Sequence, residues 1–170
     1  MPRAKNGHVE IEYEVFGEGP ETILLINGLG SQMTRWPEAF CAKLTAKGFR
    51  AIRFDNRDVG LSTHLPEGAR YALSDMAADG MAVLDAVGVD KAHIAGVSMG
   101  GMIGQTVAVE HHARTLSLTS IMSATGGRGT MDSTPAAGAV LSTPAPDPRV
   151  DEEAFIAHGM RNARTIGSPA

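Results

Sequence analysis

The stretch HIAGVSMGGMIGQ, residues 93–105, places a single serine between two glycines after an apolar run. The apolar residues before Gly96 predict a buried strand, and residues 99–109 predict a helix. Ser98 therefore falls on a tight turn between a strand and a helix. Side chains at Gly96 or Gly100 would collide with the adjoining strand and helix, and Ser98 itself is forced into a strained backbone conformation. We predict that this turn projects the Ser98 hydroxyl into open space.

The pattern G-x-S-x-G at residues 96–100 is a weak signal when it stands alone. A chain with this many glycines and serines contains it by chance in roughly one case in seven. Its position at the end of a predicted strand and the start of a predicted helix is the context in which such a serine acts as a nucleophile. The alternative is that the two glycines only allow the helix to pack against the strand.

Length and composition limit the class of protein. The 170 residues suit one domain, which would bury about two-thirds of its unfolded surface. Hydrophobic residues make up 43% of the chain and charged residues 20%, as in globular proteins. The formal net charge of −4, without a basic stripe, argues against a nucleic-acid partner.

Cysteine usage and hydropathy predict the compartment. No apolar stretch has the length of a membrane span, and the basic start of the chain is not followed by the apolar region of a secretory signal. The single cysteine, Cys41, favours a reducing compartment, and no Cys/His pattern has the spacing of zinc ligands. We therefore expect a cytoplasmic protein that contacts no membrane and binds no metal.

Strand and helix patterns alternate along the first two-thirds of the chain. Polar and apolar residues alternate over residues 8–15, which predicts an edge strand, and apolar runs predict further strands at residues 22–26, 49–54, 92–96 and 116–122. Helices are predicted over residues 36–47, from Ser74 as N-cap to Val87, and over residues 99–109. This rhythm predicts an α/β fold with a mostly parallel sheet and flanking helices.

The composition changes at Ala124. Residues 124–149 are rich in glycine, proline, serine and threonine, which predicts an irregular excursion. A short amphipathic helix is predicted after it, from about Asp151 to Asn162. The chain is therefore divided into residues 1–123 and residues 124–170.

An acyl-transfer nucleophile needs preset N–H donors for the oxyanion. The Met99 N–H, at the start of the predicted helix, is one candidate. The second is the Leu29 N–H in INGLGS, residues 26–31, where Gly28 and Gly30 let the backbone approach the site. Asn27 stands where a histidine is often found. The alternative is a glycine turn without a catalytic part, because the two loops act together only if they meet in space.

Four segments, which cover most of residues 6–124, resemble the α/β-hydrolase superfamily, and within it the N-terminal part of the cofactor-free esterases that include aclacinomycin methylesterase and the serine haloperoxidases. They are LLINGLGSQMTRWPEAF, FRAIRFDNRDVGLSTH, MAADGMAVLDAVGVDKAHIAGVSMGGMIGQ and LSLTSIMSA. The resemblance implies that Ser98 is the nucleophile and that Leu29 and Met99 supply the oxyanion donors. It also implies that residues 1–123 form a hydrolase core that is incomplete at its C-terminal side, and that residues 124–170 begin a cap.

A loop after the second apolar strand adds to the resemblance. DNRDVGLS, residues 55–62, is similar to the family's D-x-R-G-x-G-x-S loop, with Asp58 in place of a glycine. We expect Asp55 and Arg57 to fix this loop rather than to take part in chemistry. Met33, Trp36 and Phe155 are candidates to line an apolar pocket, although Trp36 equally suits packing under the first helix.

A serine hydroxyl becomes a good nucleophile only when a hydrogen-bonded base takes its proton. The predicted elements put four histidines far from Ser98; these are His8, His93, His111 and His112. His64, in the loop after residues 49–54, and His158, on the predicted cap helix, are the remaining base candidates. Neither matches the position of the family's base. We therefore expect the catalytic Asp and His to belong to a second polypeptide or to the remainder of a longer gene product.

Two functions follow from these predictions. The first is a serine esterase that acts on small carboxylic esters through Ser98. The second is a non-catalytic module or fragment derived from a hydrolase, which needs a complementary segment. Because the strand at residues 116–122 would have an unpaired apolar edge, we expect a complementary chain or a homo-oligomer in either case.

Overall fold

The computed structural model describes residues 2–126 and 133–167. The strands are β1 (Arg3–Asn6), β2 (Val9–Phe16), β3 (Glu21–Ile26), β4 (Phe49–Phe54), β5 (Ala92–Val97) and β6 (Thr115–Ile121). The helices are α1 (Glu38–Thr45), α2 (Leu73–Ala86), α3 (Met99–Glu110), α4 (Pro135–Ser142) and α5 (Glu152–Ile166). The chain forms two compact units, residues 1–126 with the sheet and α1–α3, and residues 127–170 with α4 and α5.

The six strands form one sheet in the order β1-β2-β4-β3-β5-β6. The pairs β4–β3, β3–β5 and β5–β6 are parallel, whereas β1–β2 and β2–β4 are antiparallel. The predicted α/β fold, a mostly parallel sheet with flanking helices, is confirmed. Because β3 lies between β4 and β5, the loops that follow these three strands leave the sheet side by side.

The prediction of an edge strand over residues 8–15 is wrong, because β1 covers that edge of β2. Arg3 pairs with Glu12 and Asn6 with Val9 in this antiparallel hairpin, which turns at Gly7 with a φ of 61°. His8 lies in the turn and not on a strand. The alternating pattern of β2 arises because its apolar residues face the core while its glutamates bind arginines. Arg3 donates to Glu12 at 2.8 Å and to Glu10 at 3.2 Å, and Arg53 donates to Glu14 at 2.7 Å.

Side chains that alternate along the strands build a core on each face of the sheet. On one face, α2 and α3 pack over strand residues such as Leu24, Ile52 and Ile94, which are fully buried. On the other face, α1 packs with Trp36, Leu25 and Ala51, and Cys41 is a free buried thiol whose pKa is raised by its burial.

Some helix boundaries differ from the prediction. Ser74 is not the N-cap of α2. The N-cap is Ala72, and the helix begins at Leu73. The Ala72 N–H donates to Asp75 Oδ2 at 2.7 Å, while the Ser74 hydroxyl donates to Glu110 Oε1 at 2.7 Å. The cap interaction therefore comes from the first turn of the helix, because a side chain at N3 reaches back to the N-cap amide.

The second unit contains more helix than the sequence predicted. Helix α4 lies within the stretch predicted to be irregular, with Pro135 in its first turn and the Thr134 hydroxyl accepting from the Ala137 N–H at 3.3 Å. Helix α5 continues to Ile166, beyond the predicted end at Asn162. Residues 127–132 of the predicted excursion lie outside the described residues. Within the described ranges, none of the helices has both the length and the apolar character needed to cross a bilayer.

A buried ion pair ties the loop after β4 to helix α2. Arg57 donates from Nε to Asp79 Oδ2 at 2.7 Å and from Nη2 to Asp79 Oδ1 at 2.8 Å. Asn6 donates to the same carboxylate at 2.8 Å, so β1 joins the network. The hydrogen bonds from Asp79 raise the pKa of the Arg57 guanidinium above its usual value, against the effect of burial.

We predict that Asp79→Ala lowers the free energy of unfolding by about 3–5 kcal/mol, because Arg57 keeps a buried charge without a counter-ion. The matched control is Asp85→Ala, on the same helix. Asp85 also binds an arginine, at 2.7 Å from Arg114, but its side chain is 65% exposed. Its removal should change the free energy of unfolding by less than about 1 kcal/mol. Denaturant unfolding measures both, and equal losses would contradict the assigned role of the buried pair.

Candidate active site

Ser98 occupies the turn between β5 and α3 with φ 56° and ψ −124°. Positive φ is uncommon for a residue other than glycine and is found mostly where the surroundings enforce it. The Ser98 N–H donates to the Ile121 carbonyl at 2.9 Å, and the Ser98 carbonyl accepts from the Gly101 N–H at 2.9 Å. The turn is therefore fixed to β6 on one side and opens α3 on the other. The Ser98 residue itself is exposed.

The two glycines of the turn stand where no side chain fits. A Cβ atom on Gly96 would overlap the Gly100 carbonyl group and lie 2.7 Å from the Gly101 nitrogen. A Cβ atom on Gly100 would overlap the Ile26 carbonyl and lie 2.6 Å from the Asn27 oxygen. The first turn of α3 thus rests directly on the backbone at the end of β3.

The glycine loop after β3 meets the Ser98 turn. A Cβ atom on Gly28 would lie 3.2 Å from the Ser98 Cβ, 3.3 Å from the Val97 oxygen and 3.6 Å from the Ser98 Oγ. Gly30 has a φ of 63°, and the Leu29 side chain is 77% exposed. Met99 is the first residue of α3, where backbone N–H groups have no acceptor within the helix. Leu29 and Met99 therefore flank the place where the two loops touch.

Asp55 is buried, and its carboxylate binds both the loop after β3 and the loop after β4, which Asp55 itself begins. Its Oδ1 accepts from the Met33 N–H at 2.6 Å, and its Oδ2 accepts from the Leu61 N–H at 3.1 Å. Asp58, which replaces the family's glycine, has a φ of 64°, and its Oδ1 accepts from the Leu65 N–H at 2.6 Å. The backbone at this position is thus left-handed although the residue is an aspartate and not a glycine. Aspartate adopts this conformation more readily than most residues.

None of the histidines within residues 2–126 forms a hydrogen bond with Ser98. His64 is exposed, and its Nε2 lies 3.1 Å from the Gly60 carbonyl oxygen of its own loop. His93 lies at the amino end of β5, with Nδ1 2.8 Å from the Ser117 hydroxyl. In the second unit, His158 is buried on α5, and its Nε2 lies 3.0 Å from Asn162 Nδ2. Among the described residues, no group of three His, Cys, Asp or Glu side chains is arranged to hold a metal ion.

The residues proposed for an apolar pocket have different positions. Trp36 is in the core beside α1, and its ring packs against Phe40 with 5.3 Å between ring centroids. Of the two roles considered for Trp36, the structure therefore shows core packing. Met33 is buried, and Phe155 is 41% exposed on α5. Beside α3 the structure has an open cavity of about 280 Å³ that the sequence analysis did not single out. Its lining includes Met102 and Gln105, and Gln105 Nε2 donates to the Ala124 carbonyl at 3.3 Å.

Residues 21–153 match the family described as the alpha/beta hydrolase fold, and the chain belongs to that family. Among named proteins it is similar to the rhodomycin D methylesterase of Streptomyces peucetius, with 36% identity over 119 residues, which are 69% of this chain and 40% of the relative. It is also similar to a putative carbamate hydrolase of Variovorax paradoxus, with 38% identity over 109 residues, which are 64% of this chain and 40% of the relative. The chain thus spans about two-fifths of the length of these relatives.

Solved structures with the same fold cover more of the chain. An enzyme described as degrading N-acyl homoserine lactones, Est816, superposes with a TM-score of 0.70 at 28% identity, over 95% of this chain and 64% of that one. A meta-cleavage product hydrolase from Pseudomonas fluorescens has a TM-score of 0.72 over 98% of this chain and 64% of that one. Its identity of 22% supports the fold alone.

We predict that Gly100→Ala lowers the free energy of unfolding by about 3 kcal/mol or more, because the new methyl group meets backbone that cannot move aside. Gly104→Ala, one turn further along α3, is the control. A Cβ atom there would meet side-chain methyl groups rather than backbone, namely Leu118 Cδ1 at 3.0 Å and Ile94 Cγ2 at 3.2 Å. Its cost should be offset by the higher helix propensity of alanine. Similar thermal unfolding midpoints for the two variants would show that the close approach at Gly100 is not a constraint.

Proposed function

We propose that the protein is a serine hydrolase that cleaves small carboxylic esters with Ser98 as the nucleophile. The observation that carries the proposal is the positive φ of Ser98 at a strand-to-helix turn that lies beside the Gly28 loop. The similarity to a named methylesterase supports the ester as substrate class. No cofactor takes part in this chemistry.

In the proposed reaction, Ser98 Oγ attacks the ester carbonyl carbon, and its proton passes to a general base. The carbonyl oxygen gains negative charge as the tetrahedral intermediate forms, and the N–H groups of Leu29 and Met99 donate to it. When the intermediate collapses, the alcohol leaves with the proton and the acyl group stays on Ser98. Water then releases the acid by the same steps.

We propose that residues outside the unit 2–126 contribute the base and the acid that orients it. Within this unit His64 binds its own loop, and the other histidines lie at the amino ends of strands, in the β1–β2 turn, or just after α3. The source that we propose is a segment of a complementary polypeptide. We also propose that residues 124–170 belong to a cap region, which would shape the acyl and alcohol pockets.

Ser98→Ala should abolish covalent labelling by a fluorophosphonate probe, because the probe bonds to an activated serine oxygen. Ser74→Ala is the matched control, since Ser74 is a serine on the first unit whose hydroxyl binds Glu110. It should label like the unchanged protein. Intact mass spectrometry gives the stoichiometry, expected to be one probe per chain.

Equal labelling of Ser98→Ala and the unchanged protein would contradict the proposal. Hydrolysis of a p-nitrophenyl ester by the purified chain separates the two functions considered. Turnover that disappears with Ser98→Ala supports the enzyme, whereas a folded chain without turnover or labelling supports a non-catalytic module.

We further propose that β6 pairs with a strand of a complementary chain or of a second copy of this chain. In the described residues, β6 pairs with β5 on one side only, and it lies at the end of the sheet. Leu116, Leu118 and Ile121 are 46%, 37% and 37% exposed on this strand. A free edge with exposed apolar side chains is a template for further strand pairing.

The purified chain should therefore form an oligomer or co-purify with a complementary polypeptide, as measured by light scattering coupled to gel filtration. Leu118→Lys should reduce this association, because charge on the edge strand opposes pairing. Val109→Lys, at a residue that is 76% exposed on α3, is the control and should leave association unchanged. A single monomeric species for the unchanged chain would contradict the proposal.

A further inference from the structure

Two consecutive residues at the end of β4 hold both ends of the glycine loop that follows β3. Asp55 Oδ1 accepts from the Met33 N–H at 2.6 Å, at the far end of the loop. Asn56 Nδ2 donates to the Asn27 carbonyl at 3.1 Å, at its start. Leu29, the proposed oxyanion donor, lies between these two anchor points. The loop is thus fixed by side chains of its neighbour as well as by its own backbone.

The bond from Asn56 acts on the peptide that leads into the site. The Asn27 carbonyl belongs to the peptide group that it shares with Gly28, and a Cβ atom on Gly28 would lie 3.2 Å from the Ser98 Cβ. The same carbonyl oxygen borders the start of α3, where a Cβ atom on Gly100 would lie 2.6 Å from it. Donation from Asn56 therefore sets the orientation of the peptide one step before the Leu29 N–H.

Stability alone does not account for this asparagine. Asn56 is 1% exposed, yet its Oδ1 has no hydrogen-bond partner among the described residues, and neither do the two side-chain polar atoms of Asn27, which is also 1% exposed. A buried polar atom without a partner costs more than one ordinary hydrogen bond contributes. Such departures from full pairing concentrate at functional sites.

We propose that Asn56 is a positioning residue, which orients the Asn27–Gly28 peptide so that the Leu29 N–H faces the oxyanion. The consequence for catalysis rests on the proposed function of Ser98, whereas the tether itself does not. The side-chain hydrogen bond of Asn56 goes to the Asn27 carbonyl and not to Ser98, so Asn56 acts through the loop.

The test uses Asn56→Ala, with Asn56→Leu as a second variant that fills the space without a donor. Hydrogen exchange followed by mass spectrometry should show at least tenfold faster exchange of the amides in residues 28–32 for both variants. The midpoint of thermal unfolding should move by less than about 3 °C. Each variant loses the hydrogen bond to the Asn27 carbonyl, but it also removes the unpaired acceptor Asn56 Oδ1, and the two effects oppose each other. Fluorophosphonate labelling should show a tenfold or larger loss in the rate constant of the covalent step, with unchanged probe binding.

Asn6→Ala is the matched control, because it removes an asparagine side chain on β1 that donates to Asp79 on α2 and makes no hydrogen bond to the glycine loop. It should change neither exchange in residues 28–32 nor labelling. Unchanged exchange in the Asn56 variants would overturn the tether. Faster exchange with unchanged labelling would overturn the positioning role. If the unchanged protein is not labelled at all, the proposed function of Ser98 fails, and the exchange comparison still decides whether Asn56 tethers the loop.

Discussion

The close approach of α3 to the ends of β3 and β5 is the constraint on which the site depends. It exists only because Gly96 and Gly100 carry no side chain, since a Cβ atom at either position would overlap a backbone carbonyl. With the helix this near, the chain has one residue in which to turn from strand to helix, and Ser98 takes a φ of 56° to do so. The energetic cost of that conformation is met by the packing around it, and the result is an exposed hydroxyl on a rigid support.

The order of the strands brings the other parts of the site to this turn. Because β3 lies between β4 and β5, the loop after β3 has the Ser98 turn on one side and the loop after β4 on the other. Gly28 lies beside Ser98, while Asp55 and Asn56 hold the two ends of the same loop. The proposed nucleophile, the proposed oxyanion donors and their supports thus lie in the loops that follow three neighbouring parallel strands. Within residues 2–126, no histidine lies in hydrogen-bonding contact with Ser98 as a general base would.

The sequence predicted those features that have a local signal. Continuous apolar runs marked β3 and β4, and G-x-S-x-G between a strand and a helix marked the Ser98 turn. Strand β1 was not predictable in this way, because RAKN is short and polar and becomes a strand only by pairing with β2. The bond between Asn56 and the Asn27 carbonyl joins residues 29 positions apart, so no spacing in the sequence indicates it. Trp36 suited either a pocket or the core, and its contacts with Phe40 and Leu25 place it in the core.

The most direct test is a crystal structure of the chain after reaction with an alkyl phosphonate ester, which imitates the tetrahedral intermediate. We expect phosphorus bonded to Ser98 Oγ, with its free oxygen about 2.7–3.1 Å from both the Leu29 and Met99 nitrogens. A phosphonyl oxygen that points to solvent, or a Ser98 that relaxes to ordinary helical φ, would contradict it.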